Sequence, residues 1–205
     1  MPDRYEWVSL AFHNYREAQL YRDNEITRYA VGKLKSLSSG SWKRFSKPVL
    51  IELLKAGWKE ERHASPEYFK RLISEMPAPP PALVREILDE FADLDLGSGR
   101  SFSVGEVYPE EVSRHAILQR ILGQTLYPIG STDIYCDDPL VVYADGQGRI
   151  FIDGSNGMRE TSYLVEYVAA SFERALELML VRGEKQDPWP ETGKKGEWIY
   201  DFPEP

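Results

Sequence analysis

Cysteine is almost missing from this sequence of 205 residues, where Cys136 stands alone. A lone thiol closes no internal disulfide and has no second thiol with which to share a metal, which suits a reducing compartment. Histidine is nearly as scarce, with only His13, His63 and His115 to serve as bases. No serine sits in a Gly-x-Ser-x-Gly elbow that would pair one of them with a nucleophile. The glycines form neither GxGxxG nor a phosphate-binding P-loop, and there is no HExxH pair or twelve-residue calcium loop. Long apolar runs are also lacking. The longest, such as Leu140-Val141-Val142-Tyr143-Ala144, is too short to cross a bilayer, and Met1-Pro2-Asp3-Arg4 does not open an export signal. These shortages predict a cytoplasmic protein with no membrane span, no metal, no cofactor and no catalytic machinery.

What is present is enough apolar material for one core, at 42% hydrophobic and 28% charged residues. Net charge is -8 and the isoelectric point lies near 5.1. That balance argues against nucleic acid as a partner, because phosphate contacts need clustered Lys and Arg. The charge is unevenly spread: residues 1–48 hold 9 Lys and Arg against 5 Asp and Glu, whereas residues 49–205 hold 16 against 28. An acidic body suits a basic protein partner.

Periodicity places an amphipathic helix from Asn24 through Leu37, ended by Ser38-Ser39-Gly40-Ser41. With the aromatic-rich stretch Tyr5 to Tyr21 it forms an N-terminal arm, residues 1–45. A second helix starts at Ser46, with Pro48 in its first turn, and stops at Gly57. Ser65-Pro66-Glu67 opens a third, broken by Pro77-Ala78-Pro79-Pro80-Pro81, and a fourth runs from about Ala82 to Leu94. Strand-like runs follow at Ser101–Val104, Thr125–Ile129, Ile134–Cys136, Leu140–Ala144 and Arg149–Asp153, with a helix from Glu110 to Leu122 between the first two. Asp145-Gly146-Gln147-Gly148 marks a hairpin. A closing helix is expected over Glu166–Arg182, and residues 184–205 form a tail rich in proline and aromatics, its Trp189, Trp198, Tyr200 and Phe202 expected to pack on the same chain rather than anchor a partner. The fold class this predicts is α+β, with a mixed, mainly antiparallel sheet flanked by helices.

The acids best placed to meet a basic partner are Asp89, Glu90, Asp93 and Asp95 near the end of the fourth helix, and the cluster Asp133, Asp137 and Asp138. Asp133, Asp137, Asp138 and Asp153 are also the one group able to gather around a hard cation; their spacing reads instead as solvated loop acids.

One further pattern is specific. Leu53-Leu54-Lys55-Ala56-Gly57-Trp58, with Arg62 four residues on, resembles the opening signature of an immunity-protein subfamily of the SUKH superfamily. Ile87-Leu88-Asp89-Glu90-Phe91-Ala92-Asp93-Leu94 looks like the helix of that family that ends in a Phe-small-Leu turn. Leu126-Tyr127-Pro128-Ile129-Gly130 is similar to its Pro-hydrophobic-Gly strand. Leu140 to Phe151, through Gly148-Arg149, resembles its Gly-Arg hairpin, and Ser171 to Leu180 its closing helix. The resemblance covers about Ser46 to Gly183, so residues 46–183 are expected to be a SUKH-like domain. It implies a non-enzymatic protein that binds and neutralises a cognate toxin, a nuclease or deaminase of a bacterial polymorphic toxin system. It leaves a scaffolding or regulatory interaction module as the alternative. Gly57, Trp58, Arg62, Pro128, Gly130 and Gly148 are then fold determinants: Gly57 stops a helix, Trp58 anchors the core, and Arg62 is tied to a carboxylate or carbonyl.

Overall fold

The structure is a computed structural model that describes residues 23–76, 78–97, 101–106, 115–133, 139–153, 162–182, 187 and 197–201. Residues 23–33 form α1. There follow α2 (Ser39–Arg44), α3 (Lys47–Lys55), α4 (Pro66–Glu75) and α5 (Ala82–Phe91), then β1 (Leu94–Leu96) and β2 (Phe102–Val104). The chain continues through α6 (His115–Leu122), β3 (Leu126–Thr132), β4 (Leu140–Asp145), β5 (Ile150–Asp153), β6 (Ser162–Ala169), α7 (Phe172–Glu177) and β7 (Glu197–Asp201). The expected α+β class holds. Among the described residues seven strands lie in chain order and all six of their pairings are antiparallel, so they form a meander without a crossover.

Serine caps set the helix starts. Ser46 Oγ accepts from Val49 N at 3.5 Å and Ser65 Oγ from Tyr68 N at 3.2 Å, each with a first-turn proline behind it. The end of α3 is a Schellman turn: Trp58 N donates to Leu53 O at 2.9 Å and Gly57 N to Leu54 O at 3.2 Å, with Gly57 left-handed at φ 87°. That turn delivers Trp58 into the core, 3% exposed and edge-on to Phe45 at 6.0 Å.

Two cores lie on opposite faces of the sheet, and strand alternation feeds both. On one face Val142, Ala144, Ile150 and Ile152 meet Val49, Leu50, Leu53, Trp58, Leu88, Phe91 and Phe172 from the helical layer. On the other, Val141, Tyr143, Phe151, Val165 and Tyr167 meet Leu118 of α6. Every residue of β3, β4 and β5 is therefore buried, which explains their continuous apolar runs. Asp145 is buried among them because its own hairpin satisfies it: Oδ1 accepts from Gln147 N at 2.8 Å and Arg149 N at 2.9 Å, and Oδ2 from Arg149 Nε at 2.6 Å. Pro128 and Gly130 flank the register shift in β3. At Gly130 a side chain would run into the Ser103 carbonyl, and at Gly148 into Leu83.

Three local expectations are corrected. Ser38-Ser39-Gly40-Ser41 does not simply end a helix; α1 passes into a short 3-10 turn at Leu34–Ser36, and Ser38 then caps α2. The helix expected to reach Leu94 stops at Phe91, because Asp93 turns left-handed (φ 66°) and its N–H pairs with Val104 O at 2.9 Å. The closing helix expected from Glu166 begins at Phe172, since Ser162–Ala169 pairs with β5 and β7 as a strand. A short apolar run reads equally well as either, and sheet pairing decided it. Of the segments on either side of residues 46–183, Ala30, Leu34 and Phe45 join the main core, and β7 pairs with β6. The expected strand Ile134–Cys136 and residues 110–114 of the expected helix lie outside the described residues. Among the described residues no helix is long and apolar enough to cross a membrane.

Trp58→Ala should cost about 3–5 kcal/mol in urea unfolding, the range for emptying a buried aromatic site. Gly57→Ala should cost about 1 kcal/mol, because alanine resists the left-handed conformation although nothing crowds its Cβ. An unchanged midpoint in the first variant contradicts the anchoring role of Trp58.

Candidate functional site

The four acids at the end of α5 are divided between two depressions, and the α5–β1 turn divides them. Helix α5 directs Asp89 and Glu90 into a cleft of about 470 Å³. The left-handed turn at Asp93 then swings the chain, so that Asp93 and Asp95 line a separate groove of about 490 Å³ at the β1 edge of the sheet.

In the first cleft three carboxylates, those of Asp89, Glu90 and Glu173, are engaged internally. Glu90 takes the Arg44 guanidinium at 2.9 and 3.0 Å and also accepts from the Trp58 indole N–H at 3.1 Å. Arg44 reaches on to Glu173 of α7 at 3.1 Å, and so ties α2, α5 and α7 together. Burial works against the Arg44 charge, but Glu90 and Glu173 outweigh it and hold the guanidinium pKa above its usual value. Arg62 donates to two backbone carbonyls, Glu90 O at 2.8 Å and Ala92 O at 2.6 Å. Asp89 Oδ2 lies 2.6 Å from His63 Nδ1 in an exposed pair. A histidine and a carboxylate so placed could orient a base. The hydroxyl that lines this cleft, Ser171, instead caps α7 by accepting from Arg174 N at 3.2 Å.

The second groove is built differently. Glu75 of α4, Asp93, Asp95 and Glu106 line it against one guanidinium, that of Arg71. Arg71 lies over the Tyr68 ring at 4.8 Å. Asp93 is exposed and its carboxylate has no hydrogen-bond partner among the described residues; Asp95 is exposed and accepts only from Ser103 Oγ at 3.0 Å, across the strand pair. Burial, with Asp93 nearby, pushes the Tyr68 hydroxyl pKa upward. Asp93 and Asp95 in this groove therefore point outward, whereas in the cleft Glu90 and Glu173 are held by Arg44 and Asp89 by His63, beside the exposed Glu61 and Glu86.

Asp133 belongs to neither depression. Its carboxylate accepts from Ser101 N, while its own N–H donates to Ser101 O at 3.1 Å, so it fastens the end of β3 to the start of β2. Asp137, Asp138 and His13 lie outside the described residues. Among the described residues no group of three or more His, Cys, Asp or Glu is placed to hold a metal ion. Arg44, Arg71, Glu75, Glu106 and Glu173 carry no local signature that would have singled them out. Their roles come from contacts between elements distant in sequence, although Glu173 is legible as a first-turn acid of α7.

No family model, no curated protein and no solved structure matches the chain.

Glu90→Ala and Arg44→Ala should differ in unfolding free energy. Losing Arg44 breaks ion pairs that are substantially exposed and should cost at most about 1 kcal/mol. Losing Glu90 also strands the indole N–H of the buried Trp58 and should cost about 1–3 kcal/mol. Urea titrations giving the reverse order contradict the role assigned to Glu90.

Proposed function

We propose that this chain is an immunity protein of the SUKH type, which binds a cognate toxin, covers it and thereby neutralises it without catalysis. The observation that carries the reading is the groove at the β1 edge, where Asp93 and Asp95 stand exposed in a lining that also holds Glu75, Glu106 and Arg71. Enzymes that act on nucleic acid tend to be basic around their active sites, because their substrate is a polyanion, and an outward row of carboxylates can stand in for that substrate. A nuclease or deaminase toxin is accordingly the partner class that this surface suits. The acidic charge of residues 49–205 supports the same assignment, and disfavours nucleic acid or a membrane as the partner.

The local geometry behind the resemblance adds support. Gly57 ends α3, Trp58 enters the core and Arg62 clamps two carbonyls, so the residues that carry the signature act as fold determinants. That leaves the partner surface to exposed polar positions, which can change without unfolding the protein. The expected compartment is the cytoplasm, where a toxin-producing cell needs protection.

A second reading, a scaffolding or regulatory interaction module, draws on Tyr29 and Trp42. These stand 62% and 43% exposed on α1 and α2, and aromatic side chains of this kind often anchor a partner.

The test is binding to the toxin encoded in the adjacent reading frame. Rising salt should weaken it, chiefly through the association rate. Asp93→Asn with Asp95→Asn should raise Kd by about tenfold or more, equivalent to about 1.4 kcal/mol; asparagine tolerates the left-handed backbone at 93, so the fold is spared. Undiminished affinity in that variant removes the groove from the interface. Failure to bind or protect against any neighbouring toxin sinks the immunity reading, and loss of a partner on Trp42→Ala favours the second.

A further inference from the structure

The core beneath α6 contains a polar side chain with no hydrogen bond among the described residues. His115, the first described residue of α6, is 2% exposed, and neither Nδ1 nor Nε2 has a hydrogen-bond partner there. A buried polar group left in this state calls for an explanation. Its ring sits 5.3 Å from that of Tyr143 on β4, tilted by 43°. From β3 the Leu126 carbonyl draws the ring towards its charged form, but stops short of hydrogen-bonding geometry.

Among the described side chains, the other titratable groups on this face of the sheet, by strand alternation, are Asp145 on β4, Asp153 on β5 and Tyr167 on β6. Asp145 is committed to Arg149 at 2.6 Å, and Arg149 in turn to Gln124 just beyond α6. Asp153 is buried with an interaction of its own, and Tyr167 packs edge-on to Phe151 at 5.6 Å. Arg120, the charged residue within α6, faces solvent. Among the described residues, then, no carboxylate pairs with His115, and burial pushes its pKa below the usual histidine value.

We propose that α6 is a pH-released cover: it stays docked on the sheet while His115 is neutral, and lifts away when His115 takes up a proton, uncovering Tyr143, Phe151 and Tyr167. The direction follows from where the proton can go. Above about pH 6.5 the imidazole is neutral whether α6 is docked or not, and docking is indifferent to pH. Below that, the undocked ring takes a proton that the docked ring refuses, so acidification favours the undocked form by up to about tenfold per pH unit. The effect levels off once pH falls below the depressed value of the docked ring. Among the described residues α6 is the helix that covers this face, so its departure exposes a continuous apolar surface. This device stands apart from the immunity reading and holds or fails without it.

Hydrogen–deuterium exchange of the full chain tests it, with rates corrected for the intrinsic effect of pH. Between about pH 7.5 and about pH 5.5, amides of α6 should lose about tenfold in protection while those of α3 and α5 keep theirs, a drop of one pH unit below 6.5 being the relevant span. In His115→Phe the loss should vanish. Constant protection of α6 in the wild-type protein overturns the proposal, as does an equal loss in His115→Phe, which would assign the transition to carboxylates elsewhere. If His115→Phe does not fold, the titration of the His115 ring proton in the wild-type protein decides: a midpoint below 6.5 supports the cover, and one at or above 6.5 overturns it.

Discussion

The end of α5 is held at five points, and the rest of the molecule is arranged around that clamp. Arg62 binds the carbonyls of Glu90 and Ala92, the Trp58 indole binds the Glu90 carboxylate, Ala64 N pairs with Asp89 O at 2.6 Å, and Asp93 N pairs with Val104 O. Carbonyls at a helix C-terminus have no intrahelical partner, and a guanidinium supplies two donors in one rigid fork. With the helix end satisfied, the left-handed turn at Asp93 can start β1 directly. The first strand of the meander is thus aimed by residues 58–64.

From that first strand each later one is added beside its predecessor, so the sheet grows in chain order and needs no crossover. Helices α3, α5 and α7 cover one face and α6 the other. Coverage on both sides explains why β3 to β5 are buried at every position, and why a buried Asp145 must be satisfied within its own hairpin. His115 is the exception to this economy, a polar ring without a hydrogen bond among the described residues, where the neighbours described are paired or apolar.

The clamp also sorts the negative charge. Asp89 and Glu90, on the helix side of the turn, face His63, Arg44 and Trp58 and serve the fold. Asp93 and Asp95, on the strand side, face solvent beside Glu75 and Glu106. Four acids that look equivalent along the sequence are therefore two structural ligands and two surface charges. The difference comes from one left-handed residue, not from the side chains themselves.

The sequence by itself determined the elements whose signals act within one turn: α3 and α4 from their serine caps and first-turn prolines, the end of α3 from Gly57, the β4–β5 hairpin from Asp145-Gly146-Gln147-Gly148, and the acidic balance beyond residue 48. Tertiary structure alone decided that residues 162–169 are a strand, that β7 pairs beside it, that Arg44 joins Glu90 and Glu173 across 46 and 129 residues, and that His115 is buried with no hydrogen bond among the described residues. The physical reason is range. Caps and turns are settled by groups a few bonds apart, whereas strand pairing, ion pairs and burial depend on which distant segments the chain brings together, and local pattern carries no record of that.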